Sequence, residues 1–172
     1  MVGTSLVALI ALAVLGISCI ISYEKIMRLY DTIKGTYMIL DMNCKRRWDM
    51  TSDLLEIVEI YINDTDKLNE IKEVHNGVYE GLSRQRKNSM NGAYSRALLN
   101  LIDVCKNLED VPESVQESVN MKIKGIEEIE AKIAINRTNY NFAVLSFNDL
   151  RGRFPHFIMA SRMPIETYEI CS

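Results

Sequence analysis

Three observations predict an all-α fold, in which an N-terminal transmembrane helix is followed by an elongated antiparallel bundle of three long helices. The first is an uncharged run from Val2 to Tyr23. The second is a seven-residue recurrence of apolar side chains through most of the remaining chain. The third is the lack of sustained strand alternation, with three prolines and eight glycines in 172 residues, too few turn formers for an all-β plan. The chain therefore divides into an anchor, residues 1–23, and one helical body, residues 24–172. Roughly 150 residues outside the membrane suffice for one core and not for a catalytic domain with a regulatory one.

The anchor comes first. Its 22 residues, at about 1.5 Å per residue, span the ~30 Å hydrocarbon core once. A cleaved signal peptide fits less well, because no Lys or Arg precedes the apolar run and no small-x-small site closes it. Lipidation of Cys19 is disfavoured by the glycine at position 16. Lys25, Arg28 and Lys34 follow the run, so the positive-inside rule places the C-terminal body in the cytoplasm of a single-pass cell-membrane protein.

The first body helix is carried by Ile26, Ile33, Leu40, Arg47, Leu54 and Tyr61, seven apart, beside a second row of Tyr30, Tyr37, Cys44, Thr51 and Val58. It continues from the anchor without a break to Ile62, and Asn63 to Asp66 supply a turn and a cap. The second helix spans Lys67 to Leu108, with Leu68, Ile71, Val78, Leu82, Tyr94, Leu98, Leu101 and Cys105 inward. Gly77, Gly81, Asn88, Asn91 and Gly92 weaken its middle, so a kink or break is expected near Ser83 to Gly92. Asp110 to Glu113 stop it and start a third helix with Pro112 in the first turn. There Val119, Ile126, Ile133, Tyr140 and Phe147 recur every seven residues beside Ile123, Ile129, Val144 and Leu150, until Phe154-Pro155 ends it. Seven-residue spacing favours shallow, coiled-coil-like packing. Three helices leave one side of the core thinly covered, which either Phe157 to Ile170, as a short fourth element, or a second copy would close.

A formal charge of −3 argues against a general nucleic-acid binder. Cofactor and metal chemistry find no motif. Neither His75 nor His156 has a glutamate three residues before it, and no zinc, phosphate-loop or nucleophile-elbow pattern occurs. The two histidines read as surface or boundary residues. Glu127, Glu128 and Glu130 flank apolar Ile126 and Ile129 and read as a solvated face. Cys44 and Cys105 read as small packing residues. Arg84 to Lys87 reads as a solvated loop. Lys45 lies about 30 Å beyond the membrane end of a continuous helix, out of reach of lipid headgroups. Arg47 falls on the apolar row itself, where a carboxylate or helix-end carbonyls from a neighbour must meet its guanidinium.

Two stretches resemble the LemA family of bacterial membrane-anchored helical proteins. Lys45-Arg46-Arg47-Trp48-Asp49-Met50, followed by Leu54, Leu55, Val58 and Tyr61, is similar to that family's Lys-Arg-Arg-x-Asp-Leu segment and its apolar trail. Tyr140-Asn141, Val144, Phe147-Asn148 and Phe154-Pro155 match its Tyr-Asn-x-x-Val-x-x-aromatic-Asn and Phe-Pro pattern at fixed spacing. Family members carry Pro-Asn where this chain has Ser52-Asp53. The resemblance implies an anchored antiparallel bundle without a settled biochemical activity, with roles in envelope physiology and association with membrane proteins, proteases among them.

The resulting expectation is a non-catalytic scaffold or adaptor for envelope components, without cofactor or nucleic acid. Lys45, Arg46, Arg47, Asp49, Tyr140, Asn141, Phe147, Asn148, Phe154 and Pro155 form the candidate partner-binding or structural motif, the asparagines bonding helix-end backbone or Arg47. Two alternatives stand beside it: a self-assembling homo-oligomeric membrane protein, and an enzyme using inter-helix carboxylates or Cys105.

Overall fold

The computed structural model describes residues 2–62, 65–76, 79–108, 111–153, 156 and 170–171. These are helical almost throughout: α1 (Val2–Val58), α2 (Thr65–Val74), a single 3₁₀ turn (Tyr79–Gly81), α3 (Arg84–Lys106) and α4 (Glu113–Arg151). No strand occurs among the described residues. The chain forms two compact units, residues 1–37 with 138–170 and residues 38–137 with 171–172.

In the first unit, α1 carries the apolar run. It is the one described helix long and apolar enough to cross a membrane. Leu6, Leu9, Leu12 and Leu15 are each more than half exposed, so no described residue covers this stretch. The hydroxyls of Ser18 and Ser22 are satisfied within the helix: Ser18 Oγ donates to the Val14 carbonyl at 2.9 Å and Ser22 Oγ to that of Ser18 at 2.6 Å. Beyond Tyr23 the same helix buries Ile26 and Ile33, and in the same unit α4 buries Tyr140, Ala143, Val144, Phe147 and Leu150. Tyr37 and Tyr140 meet as tilted rings, centroids 5.6 Å apart.

The second unit packs four helical pieces. Its core joins Trp48, Leu54, Leu55 and Val58 of α1, Leu68 and Ile71 of α2, Tyr94, Leu98, Leu101 and Cys105 of α3, and Val119, Ile123 and Ile126 of α4. Both seven-residue rows thus face inward, and this shared burial is what holds helices that would be marginal alone. Cross-helix pairs fix the directions. Glu59 pairs with Lys72 and Ser52 with His75, so α2 runs against α1. Asp41 pairs with Lys87 and Arg47 with Ser95, so α3 runs along α1. Asp53 pairs with Lys122 and Arg47 with Glu130, so α4 runs against it.

This differs from one long middle helix. The chain breaks between Val74 and Arg84, earlier than Ser83 to Gly92, and doubles back so that α2 and α3 are antiparallel neighbours. Ser83 is the reason for the restart: with φ −65° and ψ 155° it is the N-cap of α3, its Oγ accepting the Arg86 amide at 3.3 Å. Tyr79, buried in the 3₁₀ turn, pins the reversal by donating to Asp41 Oδ1 at 2.7 Å. Asn88, Asn91 and Gly92 stay helical because tertiary contacts override propensity. The helix ends fall at Val58 and Lys106, short of Ile62 and Leu108, while α1 passes through Ser52-Asp53 unbroken. The expected stop at Phe154-Pro155 and the fourth element at Phe157 to Ile170 lie outside the described residues, apart from Ile170.

Gly92 tests the override. Nothing stands within 4 Å of a Cβ built there, so Gly92→Ala is expected to raise unfolding stability by about 0.5–1 kcal/mol through helix propensity alone. Urea unfolding followed by circular dichroism measures it, and a loss of stability would show that α3 needs the glycine.

Candidate functional site

The Lys-Arg-Arg segment lies on α1 in the second unit, and its three cations part company. Lys45 is exposed and pairs with Glu80 beside the 3₁₀ turn. Arg46 and Asp49 are exposed. Arg47 is buried, its side chain 5% accessible, and it finds the carboxylate that its place on the apolar row demands. Nη1 donates to Glu130 Oε1 at 2.7 Å and Ser95 Oγ at 2.9 Å, and Nη2 donates to Asn91 Oδ1 at 2.6 Å. Ser95 Oγ in turn donates to Glu130 Oε1 at 3.2 Å. The guanidinium carbon lies 4.6 Å from the centroid of the Tyr94 ring. Of the Arg47 guanidinium nitrogens, Nε has no hydrogen-bond partner among the described residues.

Three expectations are corrected here. Glu130 is not on a solvated face: it turns inward to neutralise Arg47. The amide beside Arg47 is Asn91 of α3 rather than Asn141 or Asn148. Arg84 to Lys87 is not a loop but the first turn of α3, with Lys87 bidentate on Asp41 at 3.0 and 3.1 Å and 4.2 Å from the centroid of the Tyr79 ring.

Beside this network the aromatic residues of three elements stack. Trp48 lies on His75 with centroids 4.2 Å apart and on Tyr94 at 5.2 Å, with Tyr79 tilted at 5.7 Å. His75 Nδ1 is 2.7 Å from Tyr94 Oη, and its Nε2 is 2.7 Å from Ser52 Oγ. Each ring nitrogen thus has a hydroxyl partner, an arrangement that a neutral imidazole satisfies with one nitrogen donating and the other accepting. Burial lowers the His75 pKa against the opposing pull of Asp49, and burial likewise holds the Tyr94 phenol protonated.

A cavity of ≈ 20 Å³ opens among Cys44, Arg47, Tyr79, Lys87, Asn91 and Tyr94, room for a water molecule and not for a metabolite. Burial raises the Cys44 thiol and pushes Cys105 up to about 11, both against thiolate chemistry. Among the described residues no group of three or more His, Cys, Asp or Glu side chains could hold a metal.

The second motif lies on α4 in the first unit. Tyr140 and Phe147 are buried, Asn141 is half-buried and Asn148 is exposed. The motif is thus a packing face with polar flanks. Phe154 and Pro155 lie outside the described residues. The model of the LemA family matches residues 36–171, which takes in both motifs. The chain belongs to the LemA family. No curated protein matches it. In this LemA-family chain the Arg of the first motif organises the bundle interior, while its neighbours Lys45 and Arg46 remain at the surface.

Sequence reasoning missed Asn91, Ser95 and Glu130 as partners. A signal existed: Asn91 and Ser95 are polar, four apart, and share the α3 face of Leu98 and Cys105. Polar residues at that spacing on an apolar face point to a buried polar group opposite.

Two outcomes are expected. Glu130→Gln, which leaves a buried guanidinium without its counter-charge, is expected to cost about 3 kcal/mol in urea unfolding. Arg47→Met is expected to cost less than half of that, because the Glu130 side chain is 27% accessible and reaches water when freed. A larger loss in Arg47→Met would show that the charge itself stabilises the core. With its folded-state pKa below the ordinary 6.5, His75 takes up a proton on unfolding in that window. Stability is therefore expected to fall as pH drops below about 6.5, and His75→Gln is expected to flatten the dependence between pH 5 and 7 in the same assay.

Proposed function

We infer that this protein is a non-catalytic, membrane-anchored scaffold or adaptor of the bacterial envelope, with its helical body in the cytoplasm. Its partners are membrane or envelope proteins, a membrane protease among the candidates. Support for the anchor is the exposed apolar stretch of α1, and support for the orientation is the cluster of Lys25, Arg28 and Lys34 just beyond it. Support for a binding rather than a catalytic role is that the buried polar groups of the second unit are spent on one another.

The observation that carries the reading is on α4 in the first unit. Tyr140 and Phe147 point into the packed seam, whereas Phe142 and Leu145 point out, 74% and 58% exposed. A phenylalanine and a leucine one turn apart on a solvated helix face suit a partner helix.

A photo-crosslinking amino acid placed at 142 or 145 in intact cells tests this. A crosslink to a different membrane protein is expected from both positions, with none from position 46, and Phe142→Ala is expected to abolish co-purification of that protein. Crosslinks to a second copy alone would replace the adaptor with the self-assembling reading. Turnover of substrates by the purified protein in a broad hydrolase screen would overturn both.

A further inference from the structure

In the first unit, α1 and α4 run antiparallel, which sets Lys25, Arg28, Leu29 and Thr32 opposite Ser146, Asp149, Leu150 and Arg153 around a groove of ≈ 420 Å³. Three cations line it against one carboxylate. Lys25 and Arg28 follow the end of the apolar run at Tyr23 by two and five residues, about 3 and 7.5 Å along the helix axis. That is the depth of the headgroup layer, which extends roughly 5–7 Å beyond the hydrocarbon core. Arg153 reaches the same depth from the far end of α4. Two segments more than a hundred positions apart in sequence thus bring basic side chains to one level, beside the helix that enters the bilayer.

We propose that this groove binds the phosphodiester of an anionic phospholipid, with Lys25, Arg28 and Arg153 around the phosphate and Leu29 and Leu150 against its apolar side. The proposal rests on the anchor reading above and deepens it by naming the lipid class. The carboxylates present do not close the groove to an anion. Glu24 meets Arg28 at 3.7 Å across one helical turn, with both side chains mostly exposed, a contact of little strength. Asp149 Oδ1 accepts from Arg153 Nε at 3.1 Å and Nη2 at 2.8 Å, and a guanidinium has five donors. A phosphate between them gains three cations at a surface where each contributes about fivefold to anionic-lipid attraction. Thr32 Oγ1 donates to the Arg28 carbonyl at 2.8 Å, which leaves its oxygen facing the groove as an acceptor and makes the cations, rather than the hydroxyl, the recognition element.

The test uses the full chain in phosphatidylcholine vesicles, with trace spin-labelled phosphatidylglycerol compared against spin-labelled phosphatidylcholine. Each crossing helix immobilises a shell of either lipid. For the native chain the immobilised fraction is expected to favour phosphatidylglycerol at one site per chain by at least about fivefold, the share of a single cation, weakening with salt. In Lys25→Gln/Arg28→Gln/Arg153→Gln the preference is expected to vanish while the immobilised phosphatidylcholine remains. The charge-matched Lys72→Gln/Lys106→Gln/Lys122→Gln control, altered in the second unit, is expected to keep the preference, and circular dichroism checks the helicity of both. Equal immobilisation of the two lipids by the native chain, or a preference that survives the triple change, would overturn the proposal alone. Loss of the preference to excess inorganic phosphate at constant ionic strength would reassign the groove to free phosphate. No immobilised component of either lipid would overturn the anchor reading and the proposal together.

Discussion

Burial of the Arg47 guanidinium in the second unit forfeits several kcal/mol of hydration, and polar residues from two other helices are placed to offset that loss. Glu130 supplies the charge, Asn91 and Ser95 the remaining acceptors, and the Tyr94 ring covers one face. None of these groups has a comparable place without the others. Apolar rows that repeat every seven residues can slide by one repeat at small cost, since one Ile or Leu resembles the next. A guanidinium that meets its carboxylate in a single alignment removes that freedom, so the charge selects a register more than it adds stability.

Most of the architecture was legible in the sequence. The rows from Ile26 to Leu54 and from Val119 to Phe147 name the buried faces of α1 and α4, because periodicity reports burial directly. The inward place of Arg47 was legible for the same reason. The split of the middle helix was legible only as a weakness, and it was placed too late. Propensity marks where a helix costs free energy, whereas the break falls where Ser83 can cap and Tyr79 can reach Asp41, a contact between positions 38 apart. The partners of Arg47 were hidden for a similar reason: which face of α3 meets α1 depends on the reversal, and one helix fewer would give a different pairing.

The reversal also sets the parity of the second unit. Three pieces would bring the last helix parallel to the first, whereas four bring α4 against α1. The same antiparallel relation holds in the first unit, where Lys25 to Thr32 face Ser146 to Arg153. Within the second unit, a serine cap and a tyrosine hydroxyl in the middle of the sequence thus decide the direction in which its last helix runs.

Trp48 is the only tryptophan in the chain, and it stacks on His75 and Tyr94 at the junction of α1, α2 and α3. An indole buried in such a stack emits at shorter wavelength than one in water, and the emission shifts to longer wavelength when the stack opens. The native chain therefore carries its own optical reporter at the point where its helices converge, and the assembly of that junction can be timed in a stopped-flow fluorimeter without attaching a label.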